Sequence, residues 1–173
     1  MNQKITSKNT SINSTKLPAI YNKIDFSKFE KQYNVLDYGC GKFNNAKNFI
    51  ESINGTWYGY DPYNRTEEEN INTYNKYYDI IICSNVLNVI SDEEIIVDII
   101  ENIYNKYFYC GNQKIFITVY EGDKSGIGKV TKKDCYQRNE KTIRYLKYLN
   151  KVFPDLVFEI KNGVITNHPT YIK

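Results

Sequence analysis

The chain has little histidine, tryptophan, methionine or alanine: one of each of the first three and two alanines among 173 residues. His168 stands alone, and the four cysteines at 40, 83, 110 and 135 form no CxxC pair, so no zinc or other metal site is expected. Without a disulfide framework, the cysteines read as reduced thiols of a cytoplasmic protein. Nor is there a long hydrophobic run of the ~20 residues that a membrane span requires. Residues 1–16 are polar, rich in Asn, Ser, Thr and Lys, and lack the apolar centre of a signal peptide. They are expected to be a mobile segment ahead of a single domain over 17–173, a length that buries an adequate core unaided. Charge of one sign is also lacking, because 23 basic residues face 20 acidic ones, a net +3 that names no partner. The surplus of Ile, Asn, Lys and Tyr fits an AT-rich coding sequence, such as that of a phage or firmicute-like host.

What is present is a glycine turn at the end of an apolar run, Val35-Leu36-Asp37-Tyr38-Gly39-Cys40-Gly41. Glycine has no Cβ to block a ligand or forbid positive φ, so the backbone at Gly39, Cys40 and Gly41 can approach a bound molecule closely. Twenty residues beyond Gly41, the run Trp57-Tyr58-Gly59-Tyr60 ends at Asp61. At that distance from a glycine turn, doubly wound nucleotide-binding folds place the acid that holds two ribose hydroxyls. The two features together indicate an adenosine-bearing cofactor, with Asp61 making a bidentate ribose contact, or else being a plain strand-end acid that caps the turn before Pro62, and with Asp37 organising the glycine turn by accepting from backbone or a cofactor amine.

The rest of the chain alternates strands and helices. A short helix is expected over Leu17–Ile24, strands over Asn34–Tyr38, Thr56–Tyr60, Asp79–Cys83 and Lys114–Tyr120, and helices over Asn44–Ser52 and Asn139–Phe153. Ser91-Asp92-Glu93-Glu94 has the form of a helix N-cap, opening a stripe of Ile95, Ile96, Ile99, Ile100, Ile103, Tyr104 and Tyr107 with Asp98, Glu101, Asn105 and Lys106 facing away. Asn162-Gly163 signals a hairpin between Leu156–Ile160 and Val164–Thr166. Only 17 residues separate Asp61 from Asp79, too few for helix, strand and helix. The expected fold is therefore an α/β, Rossmann-like sheet with an antiparallel terminal hairpin, shortened between its second and fourth strands, where at most a short strand remains near Ile71–Tyr74.

Taken in order, these residues resemble a class I S-adenosylmethionine-dependent methyltransferase over roughly residues 33–120. Asp37, Gly39 and Gly41 match that family's first motif, although Phe43 replaces a frequent third glycine; Asp61 matches its second, and Ser84-Asn85-Val86-Leu87-Asn88-Val89-Ile90 its fourth. The blocks Thr10–Ser14, Asp61–Arg65 and Tyr120–Asp123 further resemble a group of small phage and bacterial proteins known only as predicted methyltransferases. The resemblance implies S-adenosyl-L-methionine as cofactor, held by Asp37, Gly39, Cys40, Gly41, Asp61, Pro62, Tyr63, Ser84 and Asn85; Tyr63 lies against the adenine or serves as one of the chain's many packing tyrosines. Asn85 is placed where it contacts cofactor or substrate, or else caps the following turn. Methyl transfer from a sulfonium chiefly needs nucleophile and methyl group held at near-attack distance. If a general base is used, Glu121 is the first candidate, with a solvated loop acid as its plain alternative.

The methyl acceptor is less legible. No DPPY-type signature follows Cys83 and no Pro-Cys dipeptide supplies a cytosine-attacking nucleophile, which weighs against a DNA base methyltransferase. Residues 121–151 hold nine basic and four acidic residues, a patch that either steers a phosphate-bearing substrate or is the solvated face of a helix built on Ile143, Leu146, Leu149 and Phe153. Residues 122–137 are expected to be a flexible lid. The preferred reading is methylation of an oxygen or nitrogen of a small molecule, without a membrane partner. The alternatives are an RNA or DNA acceptor, or a protein that binds the cofactor without transferring its methyl group. A nicotinamide enzyme is disfavoured because its third fingerprint glycine would fall on Asn44.

Overall fold

A computed structural model of the chain describes residues 5–8, 16–29, 32–109 and 112–173. Eight strands are present among them: β1 (Asn34–Tyr38), β2 (Thr56–Tyr60), β3 (Ile80–Ser84), β4 (Lys114–Thr118), β5 (Lys129–Lys132), β6 (Cys135–Gln137), β7 (Glu159–Lys161) and β8 (Val164–Thr166). Five helices accompany them: α1 (Ala19–Lys23), α2 (Asn45–Ser52), α3 (Glu67–Ile71), α4 (Glu93–Tyr107) and α5 (Leu146–Val152). The main sheet runs β2-β1-β3-β4-β8-β7, and only β8 runs against its neighbours. This is the expected Rossmann-like α/β sheet with an antiparallel terminal hairpin.

Successive side chains of a strand point to opposite faces, and here both faces are covered. Leu36, Ile81, Ile115, Ile117 and Ile165 pack with Ile96, Ile100, Ile103 and Tyr107 of α4 and Leu149 of α5. Val35, Ile80, Ile82, Phe116 and Val164 pack with Ile20 and Tyr21 of α1 and Ala46 and Ile50 of α2. Each such buried aliphatic or aromatic side chain contributes about 1.5–3 kcal/mol over leaving it in water. That double covering explains why β3 reads as an unbroken apolar run. Helix α4 starts where the acids suggested: the Asp92 side chain accepts from Glu94 N at 2.9 Å, and Glu93 and Glu94 lie in the positive first turn. At the other end of the sheet, Asn162 and Gly163 both take positive φ, 49° and 72°, closing the β7–β8 hairpin as the Asn-Gly signal requires.

The shortening expected between the second and fourth strands is complete, and two other local expectations are corrected. No strand remains between β2 and β3: Ile71 ends α3, and β2 is an edge strand. The helix wins because Thr66 and Glu69 form a reciprocal capping box, each satisfying the other's backbone N–H. The helix expected over Asn139–Phe153 begins instead as a 3-10 turn, Thr142–Tyr145. Its three-residue repeat rotates the face, so Thr142, Tyr145, Tyr148 and Leu149 are buried while Ile143 is 56% exposed. Arg144, Lys147 and Lys151 occupy the solvent face. The segment expected as a lid carries the β5–β6 hairpin, anchored by the Gln137 amide donating to Tyr120 O and by Arg138, whose guanidinium reaches Ile90 O, Ser91 O and the carboxylates of Glu93 and Glu140.

Most of the segment expected to be mobile, and with it the Thr10–Ser14 block, lies outside the described residues. Its described part is docked: Thr6 donates through N and Oγ1 to the Asp134 carboxylate, Ser7 N donates to Asp134 O, and Ser7 Oγ donates to Val89 O while accepting from Tyr136 N. Ser7 is buried there. No helix among the described residues is long and apolar enough to cross a membrane.

Candidate functional site

The chain passes from β1 to β2 on one side and then crosses to β3 on the other, so the strand order reverses beside β1. Open α/β sheets bind ligands in the crevice outside the carboxyl ends of the strands at such a point. A cavity of about 770 Å³ lies there, within the size range of small-molecule sites. Its wall includes Asp37, Gly39, Cys40 and Gly41 from the end of β1, Asp61, Pro62 and Tyr63 after β2, and Ser84 and Asn85 at the end of β3. All nine residues expected to hold a cofactor are thus brought around one space. Glu121 is not among the lining residues.

The glycine turn is held differently from the expectation. Asp37 does not organise it: its Oδ2 accepts from the Tyr21 hydroxyl of α1 at 2.7 Å, and the turn is fixed by Asp61 and Arg65. Asp61 Oδ2 accepts from Gly41 N at 2.9 Å, while the Arg65 Nε–H donates to Gly41 O at 2.9 Å and its Nη2 to Phe43 O and Asn44 Oδ1. Arg65 is held in turn by Glu69 and lies over the Trp57 ring, 5.4 Å from its centroid. Asp61 Oδ1 also accepts from Tyr63 N, Asn64 N and Asn64 Nδ2. A carboxylate has about four acceptor positions in total, so Oδ1 is fully used and only Oδ2 retains capacity toward the cavity. The two free acceptors that a bidentate contact requires are therefore not available at Asp61.

The two glycines do different work. Gly39 has φ 77°, and a Cβ there would meet Val86 Cγ2 at 2.2 Å; Gly41 has φ 68°, and a Cβ there would stand in open space. The first glycine is demanded by packing against the turn after β3. The second leaves a backbone cradle open.

Asp37 is 3% exposed, and burial raises its carboxyl from the usual value to about 6, with the Tyr21 hydrogen bond opposing. Burial likewise pushes the Cys40 thiol well above its usual range, which disfavours the thiolate. Tyr63 is half-exposed at the rim. Ser84 Oγ pairs with Thr118 Oγ1 at 3.1 Å. Asn85 takes φ 56°, a left-handed conformation that asparagine tolerates, and its N–H donates to Thr118 O at 2.8 Å. The 3-10 turn that follows has no side-chain cap, so the capping alternative for Asn85 is not what its side chain does. Glu121 is committed elsewhere: Oε1 accepts from Thr142 N and Oγ1, Oε2 pairs with Lys124 at 3.1 Å, and the Thr142 contacts lead in holding its carboxyl down at about 2. That is the setting of a structural acceptor. His168, half-buried beside Tyr171, is also outside the cavity, and no cluster suited to a metal ion occurs among the described residues.

Sequence reasoning missed several residues of this site. Tyr21, Arg65, Thr6 and Ser7 act over long chain separations that leave no local signature. Lys106, expected to face away from the core, lines the cavity with Ile99 and Asn102 of α4. Their spacing of three and four residues was the signal available.

No protein-family model and no curated protein matches the chain. Among solved structures, it is similar to a Listeria monocytogenes protein provisionally described as an S-adenosylmethionine-dependent methyltransferase, with 15% identity, coverage of 76% of this chain and 79% of that one, and a TM-score of 0.43. The fold assignment rests on the sheet order itself.

Proposed function

We propose that the chain is an S-adenosylmethionine-dependent methyltransferase whose acceptor is an oxygen or nitrogen of a small molecule. The observation that carries this reading is the cavity at the strand-order reversal, where an open glycine cradle, Asp61 and Asp37 converge. The fit to the cofactor is chemical: Gly41 leaves the space that a Cβ would take, Asp61 Oδ2 keeps acceptor capacity for a ribose hydroxyl, and the buried Asp37 carboxylate suits an ammonium group. When bound, the cofactor supplies an electrophilic methyl group on a sulfonium. The chain's part is to hold and to exclude water, since Asp37 and Asp61 are the only carboxylates lining the cavity among the described residues and both have partners. Positioning without a dedicated base is enough for this reaction class. A small acceptor is favoured over a duplex because chain ahead of β1, Thr6, Ser7 and Lys8 together with Lys16–Ala19, contributes to the cavity wall.

Isothermal titration with S-adenosylmethionine and with NAD tests the cofactor, binding being expected for the first alone. Incubation with methyl-labelled cofactor and a bacterial extract tests the acceptor, label being expected in small metabolites. Label in RNA or DNA would overturn the small-molecule reading, and tight cofactor binding with no label in any fraction would overturn transfer.

Asp37 gives this reading a pH signature. Its folded value, about 6, lies above the usual carboxyl value. The native state therefore holds the proton more tightly than the unfolded chain, and this stability is full below about pH 4 and lost as pH rises through 6. A bound ammonium favours the carboxylate, so affinity for S-adenosylmethionine is expected to rise between about pH 5 and 7. Calorimetry across that range checks it: Asp37→Asn should flatten the rise, and an unchanged slope in the variant would remove Asp37 from the site.

A further inference from the structure

β2 is the outer strand of the main sheet, so one row of its peptide groups faces no neighbouring strand. At Asp61, the residue that follows β2, a side chain fills that place. Asn70 of α3 accepts from Asp61 N through Oδ1 at 2.9 Å and donates through Nδ2 to Asp61 O at 3.1 Å. A paired residue on an antiparallel strand would make the same two bonds. The amide cannot be turned over here, since the Asp61 N–H only donates and its carbonyl only accepts. Arg65 N shares Asp61 O, at 3.2 Å, whereas Asn70 Oδ1 is the acceptor of Asp61 N.

The two groups that Asn70 holds belong to different peptide planes. A residue has only two soft backbone angles, φ and ψ, and they relate the two planes that meet at its Cα. By gripping the N–H of one plane and the carbonyl of the other, Asn70 fixes both angles of Asp61 and with them the direction in which its Cβ leaves the chain. The carboxylate so aimed meets Gly41 N and lines the cavity. Asn70 is itself anchored. Its N–H donates to Thr66 O at 3.0 Å, and its carbonyl accepts from Thr73 N at 3.1 Å and from Thr73 Oγ1 at 2.6 Å. Thr73 is 1% exposed, and its hydroxyl lies 3.1 Å from the Tyr107 hydroxyl of α4. A chain of hydrogen bonds thus runs from the core helix to the acid of the cavity.

We propose that Asn70 is a positioning residue of the cofactor site: its side-chain amide takes the place of a neighbouring strand at Asp61 and aims the Asp61 carboxylate at the glycine turn and the bound ribose. Asn70 is not among the residues that line the cavity, so it acts through Asp61. The proposal rests on the adenosyl-cofactor reading and adds to it how the ribose acceptor is held.

The test is a double-mutant cycle read by calorimetry with S-adenosylhomocysteine on the wild type, Asn70→Ala, Asp61→Ala and the double variant, circular dichroism confirming that each is folded. Asn70→Ala is expected to weaken binding by about two- to tenfold, the range of one net hydrogen bond. In the Asp61→Ala chain, where no carboxylate is left to aim, the same substitution should change affinity by less than about twofold. Alanine favours the helix, so α3 is expected to persist. Asn70→Asp, which keeps Oδ1 for the Asp61 N–H, is carried through the same cycle, and its loss should vanish in the same way. Amide hydrogen exchange at Asp61 reads the contact without cofactor, its protection being expected to fall in Asn70→Ala. Unchanged protection, unchanged affinity in Asn70→Ala, or equal losses with and without the Asp61 carboxylate would overturn the role of Asn70 alone. A wild type that does not bind the compound would overturn the cofactor reading beneath it, and the proposal with it.

Discussion

Gly39→Ala is expected to lower stability by about 2–5 kcal/mol: about 1–2 from the left-handed backbone at φ 77° and about 1–3 from overpacking. The overpacking arises because the new Cβ would sit 2.2 Å from Val86 Cγ2, part of the turn after β3. The two contributions are separable. Val86→Ala in the same chain removes the methyl groups that collide and leaves φ unchanged, so it should recover the steric share and no more. Urea denaturation of the two single variants and the double variant reads this as a coupling energy between positions 39 and 86. Additive losses would show that the contact does not shape the turn. Gly41→Ala is the contrasting case, since its Cβ meets nothing within 4 Å. It should cost only the backbone share in stability, while its methyl group projects into the cradle and weakens cofactor binding.

Asp61→Ala is expected to weaken S-adenosylmethionine binding by about 1–3 kcal/mol, roughly five- to 150-fold, through loss of a charged acceptor. It should also lower the melting temperature, because three backbone N–H groups, those of Gly41, Tyr63 and Asn64, lose their partner together. Asp61→Asn keeps one acceptor oxygen and should fall between the wild type and the alanine variant in both measurements. The pairing of effects is what distinguishes the observed geometry from a simple ribose clamp. A clamp alone would lose affinity at unchanged melting temperature, and that result would show that the glycine turn does not depend on Asp61.

Much of the architecture was legible because its signals are local. β1 and β2 occupy the expected residues, and β3 differs by one, since a buried parallel strand reads as a short apolar run bounded by polar residues. The missing strand after β2 was legible from chain length alone. Its replacement by α3 was not foreseen, although Thr66 and Glu69 carry the capping-box pattern in plain view. The 3-10 start at Thr142 escaped notice for a different reason. Glu121, 21 residues earlier, binds its first N–H and hydroxyl, and no periodicity records such a partner.

The site divides along the same line. Sequence by itself determined which residues meet at the cavity, because a glycine turn after one strand, an acid after the next and the polar pair ending a third are positions set by backbone conformation and spacing, and the nine residues so named line one space. Only the tertiary structure decided what each group does there. Asp61 and Arg65 clamp the turn, Asp37 is buried against Tyr21, and Glu121 caps a distant turn. The physical reason is that a hydrogen-bond partner and a burial are properties of the folded chain: they join residues that spacing along the sequence leaves unrelated.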